Sequence, residues 1–349
     1  MNVMSNISCR AWPFRSMRLP LPGYRALMLS LLFACHADYG LAQTDNLTMQ
    51  SNSNRVADLR LDPTSSASLS ADLESHNYTE AETILVQEIN RNPRTTHAAK
   101  SLELAGNIFF LDHKYLNAAI AWSKADAITP LNEQNRFSFA MADIQLKRPD
   151  WARKQLEILE RTYPQNAFYK YWLARLDYDA QQYSSAISRL EKVIQLSPEM
   201  ARAYDLLGLS YDYLGKTDQA IASYERAVAL NRKYPHPSAW PNVDFAIALN
   251  EANRSSDAEA QLREALTYDD KLPQANYQMG LTMEHKGDTA AAIKFFKRAA
   301  ELDPAYAEPH YALARAYRKA GKDDLAAAEV SRLNQLRQKD RQSADPQVH

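Results

Sequence analysis

Cysteine is nearly absent from this sequence of 349 residues. Its two cysteines, Cys9 and Cys35, both lie within the first 42 residues. If that segment is removed from the mature protein, no thiol remains in it. A disulfide, a cysteine nucleophile and an iron–sulfur site are then excluded from residues 43–349.

Glycine is also scarce, and the catalytic motifs that need it are missing. None of the eight glycines forms the spacing of a phosphate-binding loop, two glycines five apart followed by lysine. The sequence has neither a G-x-S-x-G nucleophile elbow nor an H-E-x-x-H zinc helix, and no two histidines lie three or four residues apart. We therefore predict a protein that is not an enzyme and that holds no metal and no cofactor.

Charge of either sign is not in excess. The whole chain has 41 basic and 42 acidic side chains, and residues 43–349 have 37 basic and 41 acidic ones. Binding of nucleic acid depends on a basic stripe that neutralises phosphates. The sequence therefore predicts no nucleic-acid partner.

A unit of 34 residues recurs along the chain, and its clearest copy is 201–232. Small or apolar residues recur there at spacings of three and four on both sides of Gly215. This spacing predicts two amphipathic helices joined by a tight turn. Position 20 of the unit is alanine in all seven good copies, which begin at Ala99, Glu133, Ala167, Ala201, Ala239, Pro273 and Ala307.

Two further positions of the unit follow a size rule. Position 8 is always glycine or alanine, and position 24 is always bulky. Small residues at positions 8 and 20 let two helices approach closely, and the large residue at position 24 fills the gap beside them. The period and this pattern resemble the tetratricopeptide repeat. The resemblance implies an all-α fold, a right-handed α-solenoid of about eight helix hairpins with an extended concave surface.

Residues 1–42 have a different composition. Four arginines precede an apolar run, Ala26–Ala34, which is too short to span a bilayer. The small residues Gly40 and Ala42 offer a cleavage site. The order of these features predicts a signal peptide over 1–42, and export to the periplasm or cell envelope of a bacterium. The alternative is a buried N-terminal helix.

The sequence before Cys35 offers a second cleavage site for the export segment. Leu32-Phe33-Ala34-Cys35 resembles a bacterial lipoprotein box, in which the cysteine is acylated and becomes the first residue of the mature protein. Cleavage after Ala42 would instead remove Cys35. Contact with a membrane is expected only through a lipid anchor at Cys35.

The rest of the chain divides into three parts. Residues 43–61 are polar and lack periodicity, which predicts a flexible linker. Residues 62–340 are predicted to form the solenoid, with a degenerate first repeat that begins near Asp62. Residues 341–349 are predicted to be a disordered tail. A proline cluster at 235–241 is interpreted either as a kink or as a tolerated loop insertion.

Asp143 and Asp177 both occupy position 11 of adjacent repeats. Two equivalent carboxylates are compatible with acid–base chemistry, but the sequence supplies no nucleophile or oxyanion donor beside them. We favour a structural role in which each carboxylate accepts hydrogen bonds from the amides of the following turn.

The functional signal lies on the first helix of each repeat. In the family that the repeats resemble, positions 2, 5, 9 and 12 of this helix line the groove. Here these positions are rich in aromatic residues, methionine and arginine, which are typical of interface cores. The predicted groove residues, which include Tyr213 one position further round, are Asn107, Phe137, Met141, Tyr171, Arg175, Tyr178, Arg202, Tyr213, Trp240, Asn250, Tyr277, Tyr311 and Arg315.

These residues predict a non-catalytic scaffold that binds a protein partner. The partner would lie in the groove as an extended peptide or a helix, with rings taking apolar side chains and arginines taking carboxylates. The second hypothesis is a polysaccharide-binding or export-assembly protein, because aromatic faces beside arginine and asparagine also suit sugars. We expect part of the rings to pack against the neighbouring repeat instead.

Overall fold

The protein is described by a computed structural model that covers residues 56–91 and 94–344. The predicted signal peptide, Cys35, the linker up to residue 55 and the last five residues lie outside the described residues. All regular secondary structure within these two ranges is helical, which confirms the all-α prediction. The helices are α1 (Pro63–Glu74), α2 (Tyr78–Arg91), α3 (Thr96–Leu111), α4 (Tyr115–Ile128), α5 (Glu133–Gln145), α6 (Pro149–Thr162), α7 (Ala167–Asp179), α8 (Tyr183–Leu196), α9 (Ala201–Tyr213), α10 (Thr217–Asn231), α11 (Trp240–Glu251), α12 (Ser255–Tyr268), α13 (Pro273–His285), α14 (Thr289–Leu302), α15 (Ala307–Lys319) and α16 (Asp323–Ala344).

Side-chain caps and proline set where several helices begin. The carboxylate of Asp62 accepts a hydrogen bond from the Ser65 amide at 3.0 Å, which caps α1. The Asn132 side chain does the same for the Asn135 amide at 2.9 Å, which caps α5. Proline occupies the first turn of α1, α6, α11 and α13, where a missing N–H costs no hydrogen bond.

The turn inside each hairpin is the same in every repeat. Position 15 has a positive φ in all of them, from 57° at His113 to 83° at Gly287. The amide of position 16 then donates to the carbonyl oxygen of position 11, as Lys216 does to Tyr211 at 3.0 Å. This is the Schellman arrangement that ends a helix. The prediction of a tight turn at Gly215 is correct. The residues other than glycine that adopt the same left-handed conformation are His76, His113, Lys147, Gln181 and Asn253.

The described residues form two compact units, residues 56–182 and residues 183–344, here called the N-terminal unit and the C-terminal unit. In the C-terminal unit, α9 contacts α11 and α11 contacts α13, so consecutive first helices lie side by side. In the N-terminal unit, α3 contacts α5 in the same way. Each second helix packs against first helices. The expectation of one solenoid over 62–340 stays a prediction.

Packing inside the hairpins follows the predicted size rule. The alanines at position 20 are 0–1% exposed in all seven good copies. A Cβ added to Gly106 would lie 2.5 Å from the Trp122 indole, so only glycine fits there. Glycine at position 8 faces an aromatic ring at position 24 in three repeats, and these pairs are Gly106 with Trp122, Gly208 with Tyr224 and Gly280 with Phe296.

Buried or helical residues lie a few positions beyond both ends of the predicted solenoid, whose boundaries stay predictions. Val56 and Leu59, assigned to the flexible linker, are 2% and 1% exposed and belong to the cluster around Leu69, Leu85 and Ile108. Two apolar side chains one helical turn apart are enough to bury this end of the segment, although its composition is polar. At the other end, α16 continues through residues 341–344, which were assigned to the tail.

The insertion after α10 is held against its own repeat. The Asn231 amide, 2% exposed, donates to the Ser238 carbonyl oxygen at 2.7 Å, and its oxygen accepts from the Ser238 amide at 3.0 Å. The Tyr234 hydroxyl donates to the Glu199 carbonyl oxygen at 3.1 Å and lies 3.3 Å from the Ala201 amide. The insertion is therefore a folded loop that caps the start of α9, because its polar groups substitute for backbone partners.

Candidate binding groove

The first helices form the inner layer of each unit. Contacts join α3 with α5, α9 with α11 and α11 with α13, whereas second helices such as α4 and α10 contact the first helices on either side. Side chains at positions 2, 5, 9 and 12 are therefore the ones that either face solvent between first helices or become covered by the next repeat. Their exposure separates these two cases.

Eight of the predicted groove residues are buried. A side chain with less than a tenth of its surface exposed offers little area to a partner. These side chains do not face solvent, as expected for part of the rings, and their role in binding stays a prediction. The eight are Asn107, Phe137, Met141, Tyr171, Arg175, Tyr178, Asn250 and Tyr277.

In the N-terminal unit the buried rings pack between α5 and α7. The ring of Phe137 lies 5.0 Å from that of Phe168 and 6.2 Å from that of Trp172. Tyr171, 4% exposed, lies 6.0 Å from the same Trp172 ring. Tilted rings at these distances are favourable pairs that stabilise a core. The aromatic content here therefore joins adjacent repeats, the outcome expected for a part of the rings.

Arg175 is held by its own helix. Its Nε donates to Asp179 at 3.1 Å and 3.3 Å. Burial disfavours the charged guanidinium, but the neighbouring carboxylate outweighs it and raises the pKa of Arg175 above its usual value. A charged side chain that is 7% exposed and already paired is a structural group. Arg175 is thus a poor candidate for binding a carboxylate of a partner in this conformation.

The accessible groove residues all lie in the C-terminal unit. Arg202, Tyr213 and Trp240 are half-buried, and Tyr311 and Arg315 are exposed. The Tyr213 ring stacks on that of Tyr183, with centroids 4.1 Å apart and planes 27° apart. Stacking holds this half-buried ring in place.

Tyr311 and Arg315 form a small site with a residue that the sequence did not single out. Tyr311 is 52% exposed, and the Arg315 guanidinium lies 5.9 Å from the centre of its ring. Arg315 also pairs with Glu284 of the preceding first helix, with Nε 3.2 Å from Oε1. Glu284 occupies position 12 of its repeat and Arg315 position 9 of the next. Positions 9 and 12 both belong to the inner stripe. Opposite charges at these positions of adjacent repeats were therefore the sequence signal for this pair.

This site has the chemistry of a recognition surface. The exposed ring offers an apolar face, the guanidinium can stack or pair with a carboxylate, and Glu284 keeps the guanidinium oriented. Among the described residues, no group of three or more His, Cys, Asp or Glu side chains is arranged to hold a metal ion.

The two aspartates at position 11 differ in their surroundings. Asp177 is 3% exposed at its side chain and forms an ion pair with Arg153 at 2.7 Å. Asp143 is fully buried, and neither carboxylate oxygen has a hydrogen-bond partner among the described residues. The expectation that its carboxylate accepts the following amides is wrong, because the Arg148 amide donates to the Asp143 backbone carbonyl at 2.9 Å instead. Burial raises the pKa of Asp143 to about 6, only partly offset by Arg148.

The hairpins and their inner layer define an all-α repeat protein of the class that serves as protein–protein interaction scaffolds. Family models described as tetratricopeptide repeat match residues 201–234, 243–307 and 285–345. The chain is a tetratricopeptide repeat protein, and proteins of this kind are generally non-catalytic.

One curated relative is the cytochrome c-type biogenesis protein CycH of Rhizobium meliloti (strain 1021). It is 31% identical over 134 residues, which are 38% of this chain and 34% of CycH. The match therefore spans about a third of the length of that relative.

Solved structures share the fold. A tetratricopeptide repeat protein from Parabacteroides merdae matches with a TM-score of 0.58 and 15% identity, over 74% of this chain and 98% of that one. The type IV pilus biogenesis factor PilW matches with a TM-score of 0.53 and 18% identity, over 58% of this chain and 93% of PilW. At such identities the likeness concerns the fold alone. Among the helices within the described ranges, none has both the length and the apolar character needed to cross a bilayer.

Proposed function

We propose that this chain is an exported scaffold of the bacterial cell envelope that binds a protein partner along the first helices of the C-terminal unit. The partner is an extended peptide or an amphipathic helix. The observation that supports this proposal most is the site made by Tyr311, Arg315 and Glu284. It combines a half-exposed ring with an oriented cation on the inner layer.

The chemistry of the site defines what the partner offers. An apolar side chain of the partner packs on the Tyr311 ring, and a carboxylate beside it reaches Arg315. Arg202 and Trp240, half-buried at position 2 of their repeats, extend the surface along α9 and α11. Aromatic and arginine side chains in such positions supply most of the affinity of typical interfaces.

Envelope association rests on two independent supports. The basic-then-apolar order of residues 1–42 is that of an export signal. The second support is the likeness to CycH, a protein named for cytochrome c-type biogenesis. Lipidation of Cys35 and binding of polysaccharide stay predictions.

Site-specific photocrosslinking tests the groove. A photoreactive phenylalanine analogue replaces Tyr311 in the full chain in living cells, and illumination is followed by purification and mass spectrometry. We expect a covalent adduct with one defined protein. The matched control is the same analogue at Trp151, an equally exposed ring on a second helix. An adduct from both positions, or from neither, contradicts binding in the groove.

The N-terminal residue of the chain purified from those cells tests export separately. A terminus at Gln43 supports cleavage after Ala42, and an acylated terminus at Cys35 supports the lipoprotein alternative. A chain that retains residues 1–42 and fractionates with the cytoplasm contradicts export, whatever the crosslinking result.

A further inference from the structure

Helix α4 has apolar or uncharged residues on its buried side and on its outward side alike. At 100° per residue, positions 18, 22, 25 and 29 of the repeat lie opposite the buried positions 20, 24 and 27. A helix that is apolar all round is normally covered all round, yet Leu116 and Ile120 are 45% and 47% exposed. The outward residues of α4 are Leu116, Ile120, Ser123 and Ala127, all of them exposed.

The same outward positions carry charge in several other second helices. In α10 they include Asp218 and Glu225, and in α12 they include Arg263. In α6, the neighbouring second helix of the N-terminal unit, all four are charged. They are Asp150, Lys154, Glu157 and Arg161. Packing within a repeat therefore does not demand an apolar outward face, and the face of α4 has another cause.

We infer that the outward face of α4 pairs with the same face of a second copy of this chain, around a two-fold axis. The spacing of four, three and four residues is that of a helix–helix seam. In antiparallel pairing about the middle of the helix, Leu116 meets Ala127 of the second copy, and Ile120 meets Ser123 of the second copy. Each contact joins a large side chain with a small one, so the face is complementary to itself in shape.

Charge is compatible with the same pairing. A two-fold axis brings each side chain near its own kind, so charges along the seam would repel. The seam residues of α4 have no charge. The flanking Lys124 of one copy faces Asn117 of the second copy, whose amide oxygen accepts from the ammonium group.

This pairing leaves the first helices uninvolved, because α4 is a second helix. A second copy is favoured over an unrelated partner because the large and small side chains of this face match one another across a two-fold axis. A seam of one helix is smaller than a standard interface, so the dimer is expected to be reversible. The inference does not depend on the proposed partner of the C-terminal unit.

Analytical ultracentrifugation of residues 43–349, which include every described residue, tests the pairing. We expect the weight-average mass to rise from monomer to dimer between about 2 and about 200 µM, the range of a weak interface. Leu116→Glu with Ile120→Glu should weaken association at least tenfold. The matched control, Ala222→Glu on the outward face of α10, should leave it unchanged. A chain that stays monomeric over that range, or a dimer indifferent to the α4 changes, overturns the inference.

Disulfide trapping tests the geometry of the α4 pairing. Its result does not depend on whether the glutamate variants fold. Residues 43–349 contain no cysteine, so Leu116→Cys with Ala127→Cys introduces the only thiols. Mild oxidation should yield a covalent dimer at high frequency. Thr79→Cys with Asn90→Cys, at the same repeat positions on α2, should yield little. Equal trapping from both pairs overturns the inference. It is also overturned if a lipid vesicle, and not a second copy, binds this face.

Discussion

Replacing Asp143 with asparagine should stabilise the protein at neutral pH, although aspartate is its natural residue. The carboxyl group is fully buried, and neither oxygen has a hydrogen-bond partner within the described chain. Its twin Asp177 has one, because Arg153 at position 21 of the preceding repeat reaches it at 2.7 Å. The residue at position 21 in the repeat before Asp143 is Ala119, which has no charge to offer.

The magnitude follows from the pKa. Burial raises the pKa of Asp143 from 3.8 to about 6, so the folded state binds the proton more tightly than the unfolded state does. The stabilisation that this proton gives is present below pH 4 and is lost as the pH rises from about 4 to about 6. At 1.36 kcal/mol for each pKa unit, the loss amounts to at most about 3 kcal/mol at pH 7. Asparagine has the same shape without the charge, so the variant avoids this loss of stability.

Urea unfolding followed by circular dichroism, at pH values from about 4 to about 7.5, measures this effect. We expect the stability difference between Asp143→Asn and the natural chain to be near zero at the acid end and to grow as the pH rises. Asp177→Asn is the matched control. It leaves Arg153 without its carboxylate and should destabilise by about 1–2 kcal/mol at pH 7. If the two variants change stability in the same direction at pH 7, the assignment of Asp143 as an uncompensated buried charge is refuted.

Two further substitutions test the packing and the loop. Ala220→Leu should destabilise by about 1–3 kcal/mol because position 20 is closed on all sides, and an unchanged melting temperature would contradict the assigned repeat register. Asn231→Ala should destabilise by about 1–3 kcal/mol, because the amide and the carbonyl of Ser238 lose their partners. The rate of amide hydrogen exchange at residues 232–238 should then rise, while the amides of α12–α14 keep their protection. Unchanged exchange at residues 232–238 would refute the role given to the Asn231 side chain.

The sequence alone predicted the hairpins well because their packing is local. Small residues at positions 8 and 20 and a large one at position 24 meet within about 20 residues of chain, so the period exposes them directly. Five of the turns were less visible. Position 15 has a left-handed conformation in every repeat, but in five repeats it is not glycine, the residue that would have indicated a turn. These five residues are His76, His113, Lys147, Gln181 and Asn253. Residues 56–61 contain the buried pair Val56 and Leu59, but two apolar side chains leave no periodic signal.

The sequence determined which side chains belong to the inner stripe, and the tertiary structure decided which of them meet solvent. Periodicity assigns Tyr171 and Tyr311 the same position in their repeats, yet one is 4% exposed and the other 52%. Phe137, also at this position, is 8% exposed because the rings of Phe168 and Trp172 on the next first helix pack against it. Likewise Asp143 and Asp177 are equivalent in the repeat, and only the residue at position 21 of the preceding repeat makes one an ion pair and leaves the other a buried charge. Contacts between repeats are not periodic, and a pattern read along the chain does not contain them.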